Sequence, residues 1–186
     1  AFATLHPAAG RRAVDEARRA LDSGLIGFGE LSPHSQHFGL NDATWHEVLR
    51  LAGERKVPVN LHVTDPASRP YPGRVETPLD DFVQLARAFP ETTFILAHWG
   101  GGLAWMEPGL ALPNVWFDTA ASPLLYGAEV WKKSPSPRVI FGSDYPLILY
   151  PRVEVAPGFG GIVTEAREAG ASDAVLAHNA RRLFRW

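Results

Sequence analysis

Cysteine is absent from the 186 residues and methionine occurs once. Without thiols there is no disulfide framework and no thiolate site for zinc or an iron–sulfur cluster. Any metal bound here must be held by histidine and carboxylate. Neither sign of charge dominates: 18 Lys and Arg stand against 20 Asp and Glu, a formal net charge of −2. The basic footprint of a nucleic-acid binder is therefore missing. No apolar run approaches the ~20 residues that span a bilayer, and the N-terminus carries no signal-peptide pattern. The 17 glycines and 16 prolines fall singly or in small groups at turns, and low-complexity composition is excluded. At 46% hydrophobic residues there is ample material for a core. The expectation is a cytoplasmic enzyme for a small-molecule substrate, with no nucleic-acid or membrane partner and room for a homo-oligomer.

Short apolar runs and amphipathic stretches alternate along the chain. Strands are expected at Phe2–Leu5, Gly27–Leu31, Val57–Val63, Thr93–Ala97, Val115–Asp118 and Val139–Gly142. Arg11–Ser23 puts Val14, Ala17, Ala20 and Leu21 on one helical face and stops at Gly24. Ala43–Glu54 follows the cap residues Asn41 and Asp42. Leu79–Phe89 is marked by Thr77 as a cap, Pro78 at the first helical position and Pro90 beyond its end. Helices near Pro123–Lys133 and over Ser172–Phe184 complete the series. No repeat or linker divides the chain, so residues 1–186 are expected to form one domain.

Strands that alternate with helices imply a parallel sheet with right-handed crossovers. The placement of polar residues favours a barrel over an open sheet. His6, Glu30, His62, His98, Asp118 and Asp144 all fall at or just past strand C-terminal ends. A barrel gathers those positions at one mouth, where active sites are built; an open sheet spreads them along an edge. The expected fold is α/β, a (β/α)8 barrel of the TIM type. About six βα units are present, so the barrel is expected to be incomplete at the N-terminal side.

Two strands deliver a histidine at their ends, "VPVNLH" at His62 and "FILAH" at His98, and "FGSD" delivers Asp144. With Glu30 from "GFGE" these form a set of two imidazoles and two carboxylates, ligands suited to zinc, iron, nickel or manganese. Such a set is costly to gather without a cation. His62, His98, Asp144 and Glu30 are the expected metal ligands, and a divalent ion, zinc by preference, the expected cofactor. Asp144 and His98 are the candidate catalytic residues. Asp144 can bind the metal, relay a proton from water whose pKa the metal lowers to roughly 7, or do both. Glu30 is open to three roles: ligand, substrate contact, or partner of a histidine.

The glycines behind His98 permit a sharp turn and close approach of a ligand. Gly100 is a candidate substrate contact on that ground, against the alternative of a tight turn into a short helix. His34 and His37 lie on the loop after Glu30, where substrate contact and simple exposure are both open. Trp99 is a candidate for lining the mouth, with core packing as the simpler alternative. His46 and His178 fall within helices and are expected to pack or face solvent.

Together "VNLHVTD", "LAHWGGGL", "FGSDYPL" and "AHNARRLF" resemble the amidohydrolase superfamily, in its amidohydrolase-related branch of metal-dependent hydrolases and decarboxylases. The resemblance runs from about Phe2 to the C-terminus. It implies a metal-dependent barrel with His62 and His98 on the fifth and sixth strands. Asp144, on the eighth, would be ligand and general acid/base, and Glu30 would end the fourth. One feature departs from the pattern: the family's first strand carries a His-x-His pair, and no His-x-His occurs in this sequence.

The leading expectation is hydrolysis of a small amide, ester or lactone, with Asp144 as proton shuttle. Non-oxidative decarboxylation of a carboxylated aromatic or unsaturated acid at the same metal is the alternative. A glycosidase using Glu30 and Asp144 leaves both histidines without a role. A non-catalytic barrel fragment is the remaining alternative.

Overall fold

A computed structural model describes residues 1–66, 68, 70–122, 126, 128–133, 136–145 and 159–186. Its frame is a five-stranded, all-parallel sheet: β1 (Phe28–Leu31), β2 (Val59–Leu61), β3 (Phe94–Leu96), β4 (Val115–Asp118) and β5 (Val139–Ile140). The strands neighbour one another in chain order, and Ala3 adds a parallel bridge to Phe28. Six consecutive strand positions thus follow one another without the reversal that marks an open doubly wound sheet. This is the arc of a (β/α)8 barrel, incomplete as expected.

The strands are short and mostly apolar because they are covered on both faces. Phe28, Leu61, Phe94, Ile95 and Phe117 are fully buried. α1 (Arg11–Asp22) turns Val14, Ala17 and Ala20 inward, and α2 (Ala43–Arg55) does so with Trp45, Val48 and Leu49. Asp42 caps α2 by accepting from the Trp45 N–H at 2.9 Å. α3 (Leu79–Ala88) buries Phe82, Val83, Leu85 and Ala86 and carries Asp80 and Asp81 in its first turn. Acidic residues there complement the helix dipole.

Two elements differ from expectation, the start of α3 and the final helix. Pro78 directly precedes α3, so it lies just outside the helix. Thr77 does not cap it: its hydroxyl accepts from the Thr64 N–H (2.7 Å) and donates to the Thr64 carbonyl (3.2 Å). A buried hydroxyl finds the nearest unpaired backbone, and here that is the loop after β2. The final helix is split into a wide π turn at Ala174–His178 and the helical Asn179–Phe184.

Two further short helices, Glu107–Leu110 (α4) and Phe159–Glu168 (α6), were not foreseen. Of the helix expected near Pro123–Lys133, Ala128–Lys133 is helical (α5), while 123–125 and 127 lie outside the described residues. Among the described residues, no helix is long and apolar enough to cross a membrane.

Candidate metal centre

The chain leaves β3 through Ala97 and at once takes a left-handed course. His98 has φ +53° and Trp99 φ +57°, followed by Gly100, Gly101 and Gly102 at +59°, +60° and +106°. Glycine enters that region without the penalty that a Cβ imposes. Packing makes a second demand. A Cβ on Gly100 would sit 3.0 Å from the Phe117 ring, and one on Gly101 only 2.9 Å from Leu79 Cδ2. The Gly100 N–H is used internally, donating to the Ala97 carbonyl at 2.9 Å. The glycine run is therefore a tight left-handed turn that sets His98 at the strand end.

Trp99 is fully buried, its indole N–H donating to Ser122 Oγ at 2.8 Å and its ring packed edge-on against Trp131. The structure thus seats this indole in the core. Ala121 and Asp144 share the left-handed φ of His98, at +65° and +55°. Left-handed non-glycine residues cost energy and gather where surrounding contacts hold a functional geometry. Here four of the seven among the described residues, His98, Trp99, Ala121 and Asp144, lie past β3, β4 and β5.

Glu30, near the end of β1, comes together with His62 and His98, just past the ends of β2 and β3. One side-chain donor atom from each lies within 4.8 Å of the others. His62 Nδ1 is 2.7 Å from Glu30 Oε1, and His62 Nε2 is 3.3 Å from Thr64 Oγ1. The two imidazoles meet edge to face with centroids 5.0 Å apart. His98 Nδ1 faces the Ala120 carbonyl oxygen at 3.3 Å.

Three carboxyl groups surround these rings. Burial raises the Glu30 carboxyl, but the hydrogen bond from His62 and the charges of His62 and His98 outweigh it. Glu30 is held below the ordinary carboxylate value. Asp144 lies exposed on the rim, yet partial withdrawal from water pushes its carboxyl up. His98 and His62 oppose that rise and Glu30 adds to it.

Asp118 is buried, with 7% of its surface exposed, and burial raises it. His98 and two backbone amides oppose the rise, while Glu30 adds to it. Its Oδ1 accepts from the Ala120 N–H (2.9 Å) and the His98 N–H (3.1 Å), and its Oδ2 from Asn60 Nδ2 (3.3 Å).

The donor set fits a divalent cation. Two imidazoles and an acidic oxygen suit zinc or manganese. Asp118 and Asp144 both sense the charge of Glu30, which makes this a region a cation would relieve. Asp144 stands next to the cluster electrostatically but is not one of the three mutually close donors.

The remaining candidates are placed apart. His34 Nε2 pairs with Asp81 Oδ2 at 2.9 Å, its ring against Phe82. His37 is exposed at φ +54°. His46 bonds the Leu40 carbonyl and packs on Phe89, and His178 is exposed. The sequence pattern left Asp118, Asn60 and Ala120 without roles. Asn60 precedes His62 by two residues on the same strand, a period-2 signal that puts both on one face.

An amidohydrolase family model matches residues 1–186. No curated protein matches the chain. Among solved structures, a TIM-barrel protein from Bordetella bronchiseptica is 15% identical, with TM-score 0.71, over 98% of this chain and 65% of its own. A dihydroxybenzoic acid decarboxylase from Polaromonas sp., with bound manganese and the inhibitor 2-nitroresorcinol, is 17% identical. Its TM-score is 0.60, over 99% of this chain and 68% of its own. A probable 2-pyrone-4,6-dicarboxylic acid hydrolase from Acinetobacter baumannii, with citric acid bound, is 16% identical with TM-score 0.61, over 93% and 69%. The chain thus spans about two thirds of the length of these barrels, and at such identities the likeness is one of fold.

Proposed function

Since the chain belongs to the amidohydrolase family, matched along residues 1–186, we propose that it is a metal-dependent hydrolase of a small amide, ester or lactone. The observation that carries this reading is the convergence of Glu30, His62 and His98 donors within 4.8 Å at the strand ends. When bound, a divalent ion (zinc in this proposal) polarises a carbonyl and lowers the pKa of water toward neutrality.

The residues of this chain divide the remaining work. Glu30, His62 and His98 hold the ion. Asp144, exposed at the rim beside both imidazoles, takes a proton from the attacking water and returns it to the leaving nitrogen or oxygen. The C–N or C–O bond breaks as the new C–O bond forms, so atoms and charge balance without a further reactant. We also propose that residues 1–186 act as one domain in the cytoplasm on a small-molecule substrate, with self-association as the partner to look for.

A second reading is favoured by the likeness to the manganese-containing decarboxylase. There Asp144 in its acid form would protonate a ring carbon as carbon dioxide leaves with cleavage of the C–C bond. Its raised pKa suits that step as well.

The test is metal content of the dialysed chain, wild type beside His62→Ala and His98→Ala, followed by parallel assays. About one ion per wild-type chain, lost in both variants, supports the site; a folded wild type without metal overturns it. Hydrolysis of lactones or amides without carbon dioxide release supports the first reading. Carbon dioxide release from hydroxybenzoates replaces it with the second.

A further inference from the structure

His98 occupies a backbone conformation uncommon for a non-glycine residue: φ is +53°, and the turn behind it continues left-handed. Its ring belongs to the donor cluster, so its orientation decides which nitrogen is offered there. The group that secures it lies on the neighbouring strand. In the β3–β4 register Leu96 pairs with Phe117, which brings Asp118 alongside the exit of β3.

Asp118 is a buried carboxylate, a group that proteins enclose only with partners. One of its oxygens, Oδ1, accepts both the His98 N–H and the Ala120 N–H, at 3.1 and 2.9 Å. The other accepts from Asn60 Nδ2 at 3.3 Å. The same Ala120 turns its carbonyl oxygen to His98 Nδ1 at 3.3 Å.

A single carboxylate therefore ties together the backbone of His98 and the residue whose carbonyl meets its ring. A carbonyl can only accept, so Nδ1 carries the hydrogen and the lone pair falls on Nε2.

We propose that Asp118 is the positioning residue of this site, fixing His98 as the Nδ1–H tautomer with the Nε2 lone pair available. The use made of that lone pair rests on the metal-centre reading; the tautomer does not. Partners of this outer kind orient ligating histidines and change metal affinity about 10–100-fold when removed.

The experiment has two arms on the full chain. Long-range proton–nitrogen correlation spectra of the metal-free protein above pH 8 report the His98 tautomer directly. Titration with zinc gives the affinity.

In the wild type His98 is expected as Nδ1–H. In Asp118→Ala the signal moves to a mixture of tautomers or to Nε2–H, and zinc binding weakens about 10–100-fold. Asp118→Asn is expected to restore the wild-type tautomer, because its Oδ1 still accepts both amides. Asn60 can then turn its own Oδ1, unpartnered among the described residues, toward the new NH2. Should Asp118→Ala not fold, Asp118→Ser takes its place, its hydroxyl oxygen lying one bond closer to the backbone than Oδ1 and so falling short of the point where both amides meet.

Wild-type tautomer and affinity in the Ala or Ser variant overturn the proposal. A tautomer shift in a protein whose wild type binds no zinc keeps the positioning role and overturns the metal reading instead. Zinc bound by the wild type and lost in His98→Ala, with no effect of Asp118→Ala on either readout, does the reverse.

Discussion

Glu30 and His62 stand 32 positions apart in the sequence and 2.7 Å apart in space, Oε1 against Nδ1. Adjacent parallel strands bring them together, since each lies at the C-terminal end of its strand. The pair holds the Glu30 carboxyl below its ordinary value against the effect of burial. A carboxyl lowered in the folded state adds stability that is present above the unfolded value and lost as pH falls through the folded one. In the metal-free protein, Glu30→Gln should therefore lower Tm above about pH 5, with the difference shrinking as pH falls below the unfolded value of about 4.3 and vanishing only below the folded one. Both side chains are partly open to water, 41% and 29% exposed. The effect should stay within ~1 kcal/mol, roughly 2–4 °C for a chain of this size. Melting curves across pH check it.

Asp144 senses His98, His62 and Glu30 but stands outside the three-donor cluster. That separation argues for proton transfer as its main task. Asp144→Asn should keep its metal and lose about 10²–10⁴-fold in kcat, together with the acidic limb of the pH–rate profile. Metal analysis beside the pH–rate profile decides the matter. Loss of the ion in Asp144→Asn would instead make Asp144 a ligand.

Asp118 carries the opposite pH signature from Glu30. Burial raises its carboxyl, more than His98 and the two amides lower it. A raised carboxyl destabilises the fold where it is ionised, above its folded value, and the penalty disappears below the unfolded value. Asp118→Asn should accordingly raise Tm at pH 7, and the gain should shrink as pH falls toward 4. A Tm gain that is constant with pH would mean that packing, not charge, is what changed.

The sequence displayed the strand ends clearly and the connections between them poorly. Short apolar runs that stop on His62, His98 and Asp118 carry their own boundaries, because a strand buried on both faces stays mostly apolar until it reaches the mouth, Asn60 within β2 being the exception. The parallel order and the barrel follow from strands alternating with helices. Glu30 kept three open roles, and only the fold shows it beside His62 rather than at some other strand end.

The Asp118 network was not legible, for it depends on which backbone amides a neighbouring strand presents, and register is a tertiary property. Thr77 failed as a cap for a similar reason: its hydroxyl had a buried partner in the loop of Thr64. The glycine run signals a sharp turn and the close approach of a ligand, yet Gly100 and Gly101 also answer to the Phe117 ring and to Leu79, which no sequence pattern discloses.

Trp99 allows a direct test of core against substrate contact. Its ring is fully enclosed, and its only polar atom is satisfied by Ser122, which is itself buried. Ser122→Ala would leave the indole N–H without a partner in a place that water cannot reach, costing about 1–3 kcal/mol. For a chain of this length that is a fall in Tm of roughly 2–4 °C per kcal/mol. The left-handed turn would keep its glycines and His98 its place, so metal affinity and KM should stay within about twofold of wild type. Trp99→Phe should add a cavity to the lost hydrogen bond and melt lower still. Melting temperature and KM measured on the same preparations separate the two roles. A KM that rises while Tm holds would bring the indole to the substrate; a falling Tm with constant KM leaves it as the pillar beneath the glycine turn.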